Sequence, residues 1–144
     1  MGKVNATVEI AAPQNKVWEV ISDPARYDEW LTIHTKWKDG TPEAFTEGAQ
    51  VAEVVTMLGM ANTIVWTVDE FTPPSRMKIS GEGMAGVKSA FTLNIDSDGN
   101  GGSKVGMDAE FEGQMIVGAM GAAVEKDAKE QLELSLAAFE KLVS

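Results

Sequence analysis

His34 is the only histidine of the chain and the residue type best suited to acid–base chemistry. An imidazole titrates near neutral pH, so a histidine can give or take a proton under physiological conditions. A lone histidine also serves as a packed structural residue, and both interpretations stay open here. Without a second histidine or any cysteine, histidine-rich and thiolate metal sites are excluded. We predict neither a metal nor a cofactor.

Glu53 is the second candidate for proton transfer. It interrupts an apolar strand face that includes Val51, Val55 and Met57. The pattern allows two interpretations, an outward-facing charge or a buried acid. Catalysis by His34 or Glu53 is therefore a hypothesis that depends on whether either side chain reaches the interior.

Aromatic residues surround His34 along the sequence. Residues 30–37, WLTIHTKW, hold two of the four tryptophans at the exit of a predicted short helix, and the sole tyrosine, Tyr27, comes just before them. Aromatic side chains bury large areas and are first of all core material. Crowded together in this way, they also suggest a chain that folds around an apolar ligand.

The elements that must position these residues follow from periodicity. Residues 4–10 alternate as a half-buried strand, and Pro13 and the Asp23-Pro24 pair are typical starts of two short helices, the second ending near Trp30. Strands are then predicted at residues 51–58, 62–71, 77–80, 87–95 and 104–112. Three of these have a clear apolar face opposite polar residues, which is typical of an antiparallel sheet with one face toward water.

The last segment, from about Met115 to Val143, is predicted to be one long helix with a buried stripe that begins at Val117 and Met120. Small residues, Gly121, Ala128 and Ser135, fall within that stripe. They would leave the concavity of a curved sheet underfilled, and apolar hollows of roughly 300 to 1,000 Å³ hold small molecules. The alternative is that small residues merely let the helix pack closely against its neighbours.

Two glycine-rich segments match known motifs only in part. Residues 81–86 fit G-x-G-x-x-G, but a strand pattern follows where a dinucleotide site needs a helix. Residues 96–101 begin like a calcium-binding loop, yet Met107 takes the place of the bidentate glutamate. We interpret both segments as hairpin connections.

Composition limits the remaining classes. The chain has 144 residues, 44% of them hydrophobic, which predicts one well-buried domain. Twelve basic against 22 acidic residues give a formal charge of −10, which disfavours nucleic-acid binding. There is no apolar run long enough to cross a bilayer and no signal-peptide pattern, so we expect no membrane insertion and a cytoplasmic location.

Residues 8–30, VEIAAPQNKVWEVISDPARYDEW, and the order of elements resemble the START-like, helix-grip fold of the SRPBCC superfamily, in its polyketide cyclase/dehydrase and lipid-transport branch. The segments EWLTIHTKW, GMANTIVWTV and PPSRMKISGEGMAGVK resemble an actinobacterial subfamily of type II toxin–antitoxin toxins. The resemblance implies an α+β fold over residues 1–144. A curved antiparallel sheet of about seven strands would wrap around the long C-terminal helix, with two short helices after the first strand.

The resemblance also implies a ligand cavity between the long helix and the sheet. Trp30 and Trp66 match the family's pocket by position, and the inner strand faces, the methionines and the helix stripe add Met84, Phe91, Met107, Met120 and Val124. We expect this cavity to bind a hydrophobic or aromatic small molecule that is polyketide- or lipid-like. Two alternatives remain, an aromatase/cyclase that uses His34 or Glu53, and a toxin masked by a small antitoxin-like protein.

Overall fold

Seven strands and three α-helices make up the parts of the chain that the computed structural model describes, which are residues 2–83, 86–114 and 116–143. Their order is β1 (Gly2–Ile10), α1 (Gln14–Ile21), α2 (Tyr27–Trp30, after a 3-10 turn at Pro24–Arg26), β2 (His34–Trp37), β3 (Gln50–Met57), β4 (Met60–Thr72), β5 (Arg76–Glu82), β6 (Lys88–Ser97), β7 (Ser103–Glu112) and α3 (Gly118–Val143).

All seven strands form one antiparallel sheet in the order β1-β7-β6-β5-β4-β3-β2. The register shifts between His34 and Lys36 and again between Val68 and Glu70. Such irregularities bend a strand and increase its twist, and the sheet curls into a half-barrel. The predicted α+β helix-grip architecture, with two short helices after the first strand and a long C-terminal helix, is confirmed.

The concave face of the sheet carries the core. The residues predicted to face inward on β4, β6 and β7 are buried, apart from the half-buried Val87 just before β6; they include Trp66, Phe91 and Met107. Helix α3 packs mainly along β1 and also contacts α1, α2 and β3. None of the helices in the described ranges is long and apolar enough to cross a membrane.

Strand β2 was not predicted by the sequence pattern, which places residues 30–37 at the exit of a helix. In the structure Trp37 pairs with Glu53 of β3 and His34 pairs with Val55. The register shift between His34 and Lys36 interrupts the alternation of inward and outward side chains, so the period that identifies a strand is lost.

Helix α3 begins later than predicted. Its first residue is Gly118, which has a φ of +57°, and Val117 before it is 63% exposed. The predicted start, Met115, lies outside the described residues. Val117 lies before the helix because the chain turns into it at a glycine in the left-handed region, and Met120, although within the helix, is 42% exposed, so neither belongs to the buried stripe.

The two glycine-rich segments connect consecutive strands. Residues 96–101 span the end of β6 and the turn toward β7, and the Asp98 carboxylate accepts hydrogen bonds from the amides of Asn100 and Gly102 within that turn, which confirms the predicted hairpin. Residues 81–86 are followed by β6, in place of the helix that a dinucleotide site requires.

Candidate functional site

A cavity of about 380 Å³ lies between the β3–β4 hairpin, the inner face of β6 and the first turns of α3. Its volume falls within the range of roughly 300 to 1,000 Å³ in which proteins bind small molecules. Strands β3 and β4 with their turn contribute Val55, Met57, Leu58, Met60, Asn62 and Ile64. The remaining walls are formed by Ile33, Val87, Ser89, Phe91, Phe111, Ile116, Met120 and Val124.

An apolar rim surrounds the mouth of this cavity. Leu58, Met60 and Met120, which line the cavity, are 41%, 49% and 42% exposed, and Val117, which follows the lining residue Ile116 in the sequence, is 63% exposed. The amide of Leu58 donates to the Asp127 carboxylate at 3.1 Å, which fixes the hairpin tip to α3. The opening is therefore held in place by a contact between two elements. We call Leu58, Met60, Val117 and Met120 the apolar rim.

The small residues in α3 were predicted either to leave a hollow or to let the helix pack closely, and their contacts in the structure differ. A side chain at Gly121 would lie 3.1 Å from the backbone of Ile116, so this glycine permits close packing. Ser135 accepts a hydrogen bond from the amide of Thr32 at 3.0 Å, which fixes the loop after α2. The cavity instead borders Met120 and Val124. Gly121 and Ser135 thus have packing partners, whereas Ala128 and Ser135 also line a small space of about 10 Å³ that shares Phe91 and Phe111 with the cavity.

A smaller space, the inner void, lies deeper in the half-barrel and measures about 20 Å³. Ile33 and Phe91 line both the cavity and the inner void. The other residues around the void are aromatic or aliphatic apart from one acid, Glu53: Tyr27, Trp30, Leu31, Glu53, Trp66, Met77, Ile79, Leu93 and Met107. Ile33 and Phe91 therefore form the boundary between a mostly apolar outer space and an aromatic inner one.

The predicted ligand-binding residues fall into two groups. Phe91, Met120 and Val124 line the cavity, and Trp30, Trp66 and Met107 line the inner void together with Phe91. Met84 lies outside the described residues. The structure therefore brings the remaining predicted residues to two adjoining spaces, although the sequence suggested a single one.

Several lining residues were not singled out from the sequence. Ile33 was not predicted because the sequence pattern does not indicate strand β2, which begins at the next residue. Leu58 lies in the turn between β3 and β4 and Asn62 near the start of β4, and the strand pattern placed these boundaries only approximately. The signal that would have found them is the two-residue Leu58-Gly59 turn between two apolar strands.

Of the two interpretations of Glu53, an outward-facing charge or a buried acid, the structure shows the second, since the residue is only 2% exposed. One carboxylate oxygen, Oε2, lies 2.5 Å from Nδ1 of His34 on β2, and the other, Oε1, accepts a hydrogen bond from Trp66 Nε1 on β4 at 2.8 Å. A buried carboxylate needs such partners because removal from water otherwise costs several kcal/mol. The three neighbouring strands β2, β3 and β4 thus assemble one polar cluster, His34–Glu53–Trp66.

Tyr27 closes this cluster from the side of α2. Its ring packs edge-on against His34 and also contacts Trp30, Trp37 and Phe45, with centroids 5.4 to 5.9 Å apart. Burial raises the pKa of the Tyr27 phenol well above its ordinary value, and the nearby charges of Glu53 and Asp23 add to this rise. Tyr27 therefore remains a neutral phenol.

The cavity wall itself offers little acid–base chemistry. Among the described residues that line the cavity there is no acid, base or histidine, and the polar side chains are Asn62 and Ser89. Glu53 reaches only the inner void. In the described ranges no three histidine or acidic residues lie close enough together to hold a metal ion. The arrangement offers an apolar cavity and, next to it, a small aromatic void with one carboxylate, that of Glu53.

A family model described as polyketide cyclase/dehydrase and lipid transport matches residues 1–144. Among curated relatives, Toxin Rv0910 of Mycobacterium tuberculosis (strain H37Rv) is 33% identical over 143 residues, covering 96% of this chain and 99% of the relative. Uncharacterized protein Rv1546 of the same strain is 30% identical over 142 residues, covering 99% of both chains.

Solved structures agree on the fold. A START superfamily protein from Mycobacterium smegmatis aligns with a TM-score of 0.76 at 23% identity, covering 99% of this chain and 97% of the other. A protein from Chromobacterium violaceum aligns with a TM-score of 0.75 at 13% identity, covering 99% and 96%. The resemblance to the START-like fold and to toxin-named relatives is therefore confirmed.

Proposed function

The chain belongs to the polyketide cyclase/dehydrase and lipid transport family, and we propose that it binds a hydrophobic or aromatic small molecule, polyketide- or lipid-like, inside its cavity. One observation carries this proposal. Twelve of the fourteen residues that line the 380 Å³ cavity have apolar side chains, the exceptions being Asn62 and Ser89. A ligand in this space would lose its contact with water against aliphatic, thioether and aromatic groups, which is the main source of binding free energy for apolar molecules.

The natural ligand can be sought directly. Protein purified under non-denaturing conditions from its own host should retain a small molecule that native mass spectrometry detects as added mass. Release in organic solvent would then allow its identification. A search of this kind tests ligand identity, and a synthetic probe tests the cavity itself.

The probe experiment uses N-phenyl-1-naphthylamine, which is uncharged and fluoresces when it leaves water. We expect saturable fluorescence with the wild-type protein. Val124→Trp should weaken probe binding about tenfold or more, because the larger side chain occupies the cavity. Leu134→Trp is the matched control, since Leu134 lies on the same helix, is 57% exposed and does not line the cavity.

Two outcomes would contradict the proposal. One is the absence of saturable fluorescence with the wild-type protein. The other is equal affinity of Val124→Trp and wild type, which would place the probe outside the cavity.

A toxin component of a type II toxin–antitoxin system is the second candidate. The name of the Mycobacterium tuberculosis relative Toxin Rv0910 favours it, and the apolar rim is a surface that a small antitoxin-like protein would cover. Expression of this chain alone should then arrest growth, and co-expression of the neighbouring gene should restore it. Normal growth on expression alone would exclude this function.

An aromatase/cyclase activity stays a hypothesis with His34 or Glu53 as the acid–base group. A catalytic base must come within hydrogen-bond reach of the proton it takes, and only Glu53 of the two lines a space that a ligand could enter. His34→Ala should abolish turnover of a poly-β-ketone and leave its binding intact if the protein is an enzyme. Binding without turnover in the wild type would leave it a carrier.

A further inference from the structure

Trp30 carries a buried hydrogen-bond donor without an acceptor in the described part of the chain. The residue is 2% exposed, and its indole Nε1 has no hydrogen-bond partner there. The indole groups of Trp37 and Trp66 differ, since they donate to the Pro24 carbonyl at 2.9 Å and to Glu53 at 2.8 Å. Buried donors are normally paired, so an unpaired one at a cavity calls for an acceptor supplied from elsewhere.

The inner void provides the place for that acceptor. Trp30, Glu53 and Trp66 all line it, and its volume of about 20 Å³ accommodates a single water-sized oxygen. The cavity lies directly beyond Ile33 and Phe91, which line both spaces. The two spaces therefore adjoin at these two side chains, and an oxygen of a ligand in the cavity would pass between them to enter the inner void.

The residues around the void specify the kind of oxygen. An indole N–H only donates, and a carboxylate only accepts. Each oxygen of Glu53 already has one donor, His34 or Trp66, and retains a second lone pair. A hydroxyl group satisfies both sides, because it accepts from Trp30 and donates to Glu53. A carbonyl or ether oxygen could accept from Trp30 but has no proton to donate, so it would face the carboxylate of Glu53 with its own lone pairs, which is unfavourable.

We propose that Trp30 and Glu53 select ligands that carry a phenol or alcohol group at their buried end. The proposal rests on the proposed function, since it assumes that the cavity holds the apolar body of the ligand. It adds a specificity determinant, the pairing of one hydroxyl with the Trp30 indole and the Glu53 carboxylate.

The test compares three small aromatic probes by isothermal titration calorimetry: naphthalene, 2-methoxynaphthalene and 2-naphthol. With the wild-type protein we expect 2-naphthol to bind about tenfold more tightly than naphthalene, and 2-methoxynaphthalene to gain much less. Trp30→Phe should lower the preference for 2-naphthol over naphthalene several-fold, because the hydroxyl loses its donor and keeps only the hydrogen bond to Glu53. The ratio of the naphthol and naphthalene dissociation constants in the wild type is compared with the same ratio in the variant. Because the free ligands are identical in both, the difference in their hydration cancels in this comparison.

Trp18→Phe is the control. Trp18 is also a buried tryptophan, but its ring packs against Phe71 and it lines neither the cavity nor the inner void. This variant should keep the wild-type preference for 2-naphthol. A preference that persists unchanged in Trp30→Phe would overturn the proposal, as would equal binding of naphthalene and 2-naphthol by the wild type.

A second measurement does not depend on the folding of a variant. In the proton–nitrogen spectrum of the wild type, the Trp30 indole resonance should shift on addition of 2-naphthol and stay nearly in place with naphthalene. Equal shifts with both probes would contradict the hydrogen bond. Binding of both probes without a naphthol preference would remove the specificity proposal alone, whereas failure of all three probes to bind would also remove the proposed function.

Discussion

The His34–Glu53–Trp66 cluster explains how a charged residue is accommodated in an apolar half-barrel. Both carboxylate oxygens of Glu53 have a donor within hydrogen-bond distance, and the imidazole and indole that supply them are themselves part of the core. Removal of any one of these groups would leave a buried polar atom of its partner without a hydrogen bond. The cluster therefore fixes the relative positions of β2, β3 and β4, whether or not a proton moves through it.

Tyr27 allows a direct test of this environment because it is the sole tyrosine of the chain. Its pKa is raised well above 10.0, first by burial and then by the charges of Glu53 and Asp23. The neutral phenol is thus favoured in the folded state. Its contribution to stability is fully present below the pKa of the unfolded chain and is lost as the pH rises through the folded-state pKa.

We expect the ultraviolet absorbance of phenolate to remain absent in the folded protein at pH values around 10.0, where an ordinary tyrosine is half ionised. Ionisation should appear only together with alkaline unfolding, followed in parallel by circular dichroism. The same titration in concentrated urea is the control and should give the ordinary tyrosine pKa. A phenolate signal near 10.0 in the folded protein would mean that Tyr27 is solvated.

At the scale of elements, the β3–β4 hairpin sets the shape of the mouth. Its two turn residues, Leu58 and Gly59, have φ values of +52° and +73°. The left-handed region suits glycine and asparagine and is unfavourable for leucine. A leucine here retains an apolar side chain at the mouth at the expense of backbone strain, as is common at binding sites.

Leu58→Asn should relieve this strain, and Met60→Asn should not. Both residues belong to the apolar rim and are similarly exposed, at 41% and 49%, so each substitution removes a similar apolar contact. We expect the free energy of unfolding in urea to be about 1 kcal/mol higher for Leu58→Asn than for Met60→Asn. Both variants should bind N-phenyl-1-naphthylamine more weakly than the wild type. Equal stability of the two variants would show that the turn carries no strain.

Most elements of this fold could be predicted from the sequence, since apolar periodicity identified five of the seven strands nearly to their ends and the first strand from its third residue. Strand β2 escaped because its register shift breaks the alternation. The site was predicted only in part. Phe91 and Val124 follow from periodicity, but the pairing of His34 with Glu53 depends on strand register between residues 19 positions apart, which no local pattern encodes.

At the scale of the whole molecule, the half-barrel is unevenly filled. Around Trp30 the interior leaves only the inner void of about 20 Å³, and the Trp30 ring lies 5.2 Å from that of Phe139 and 5.5 Å from that of Tyr27. Toward the first turns of α3 the same interior opens into the cavity. Part of the apolar surface of the folded chain is therefore not buried by the protein itself, and a ligand that covers it would stabilise the native state.

This coupling predicts a measurable change in global stability. At a free concentration of N-phenyl-1-naphthylamine about 100 times its dissociation constant, the free energy of unfolding of the wild type should rise by about 2.7 kcal/mol, since the probe binds the folded chain and the unfolded chain lacks the cavity. Leu134→Trp should respond equally, and Val124→Trp, whose probe affinity is expected to be at least tenfold weaker, should gain no more than about 1.4 kcal/mol at the same probe concentration. An unchanged unfolding midpoint in the wild type, despite saturable fluorescence, would show that the probe binds folded and unfolded chains alike and that the cavity is not its site.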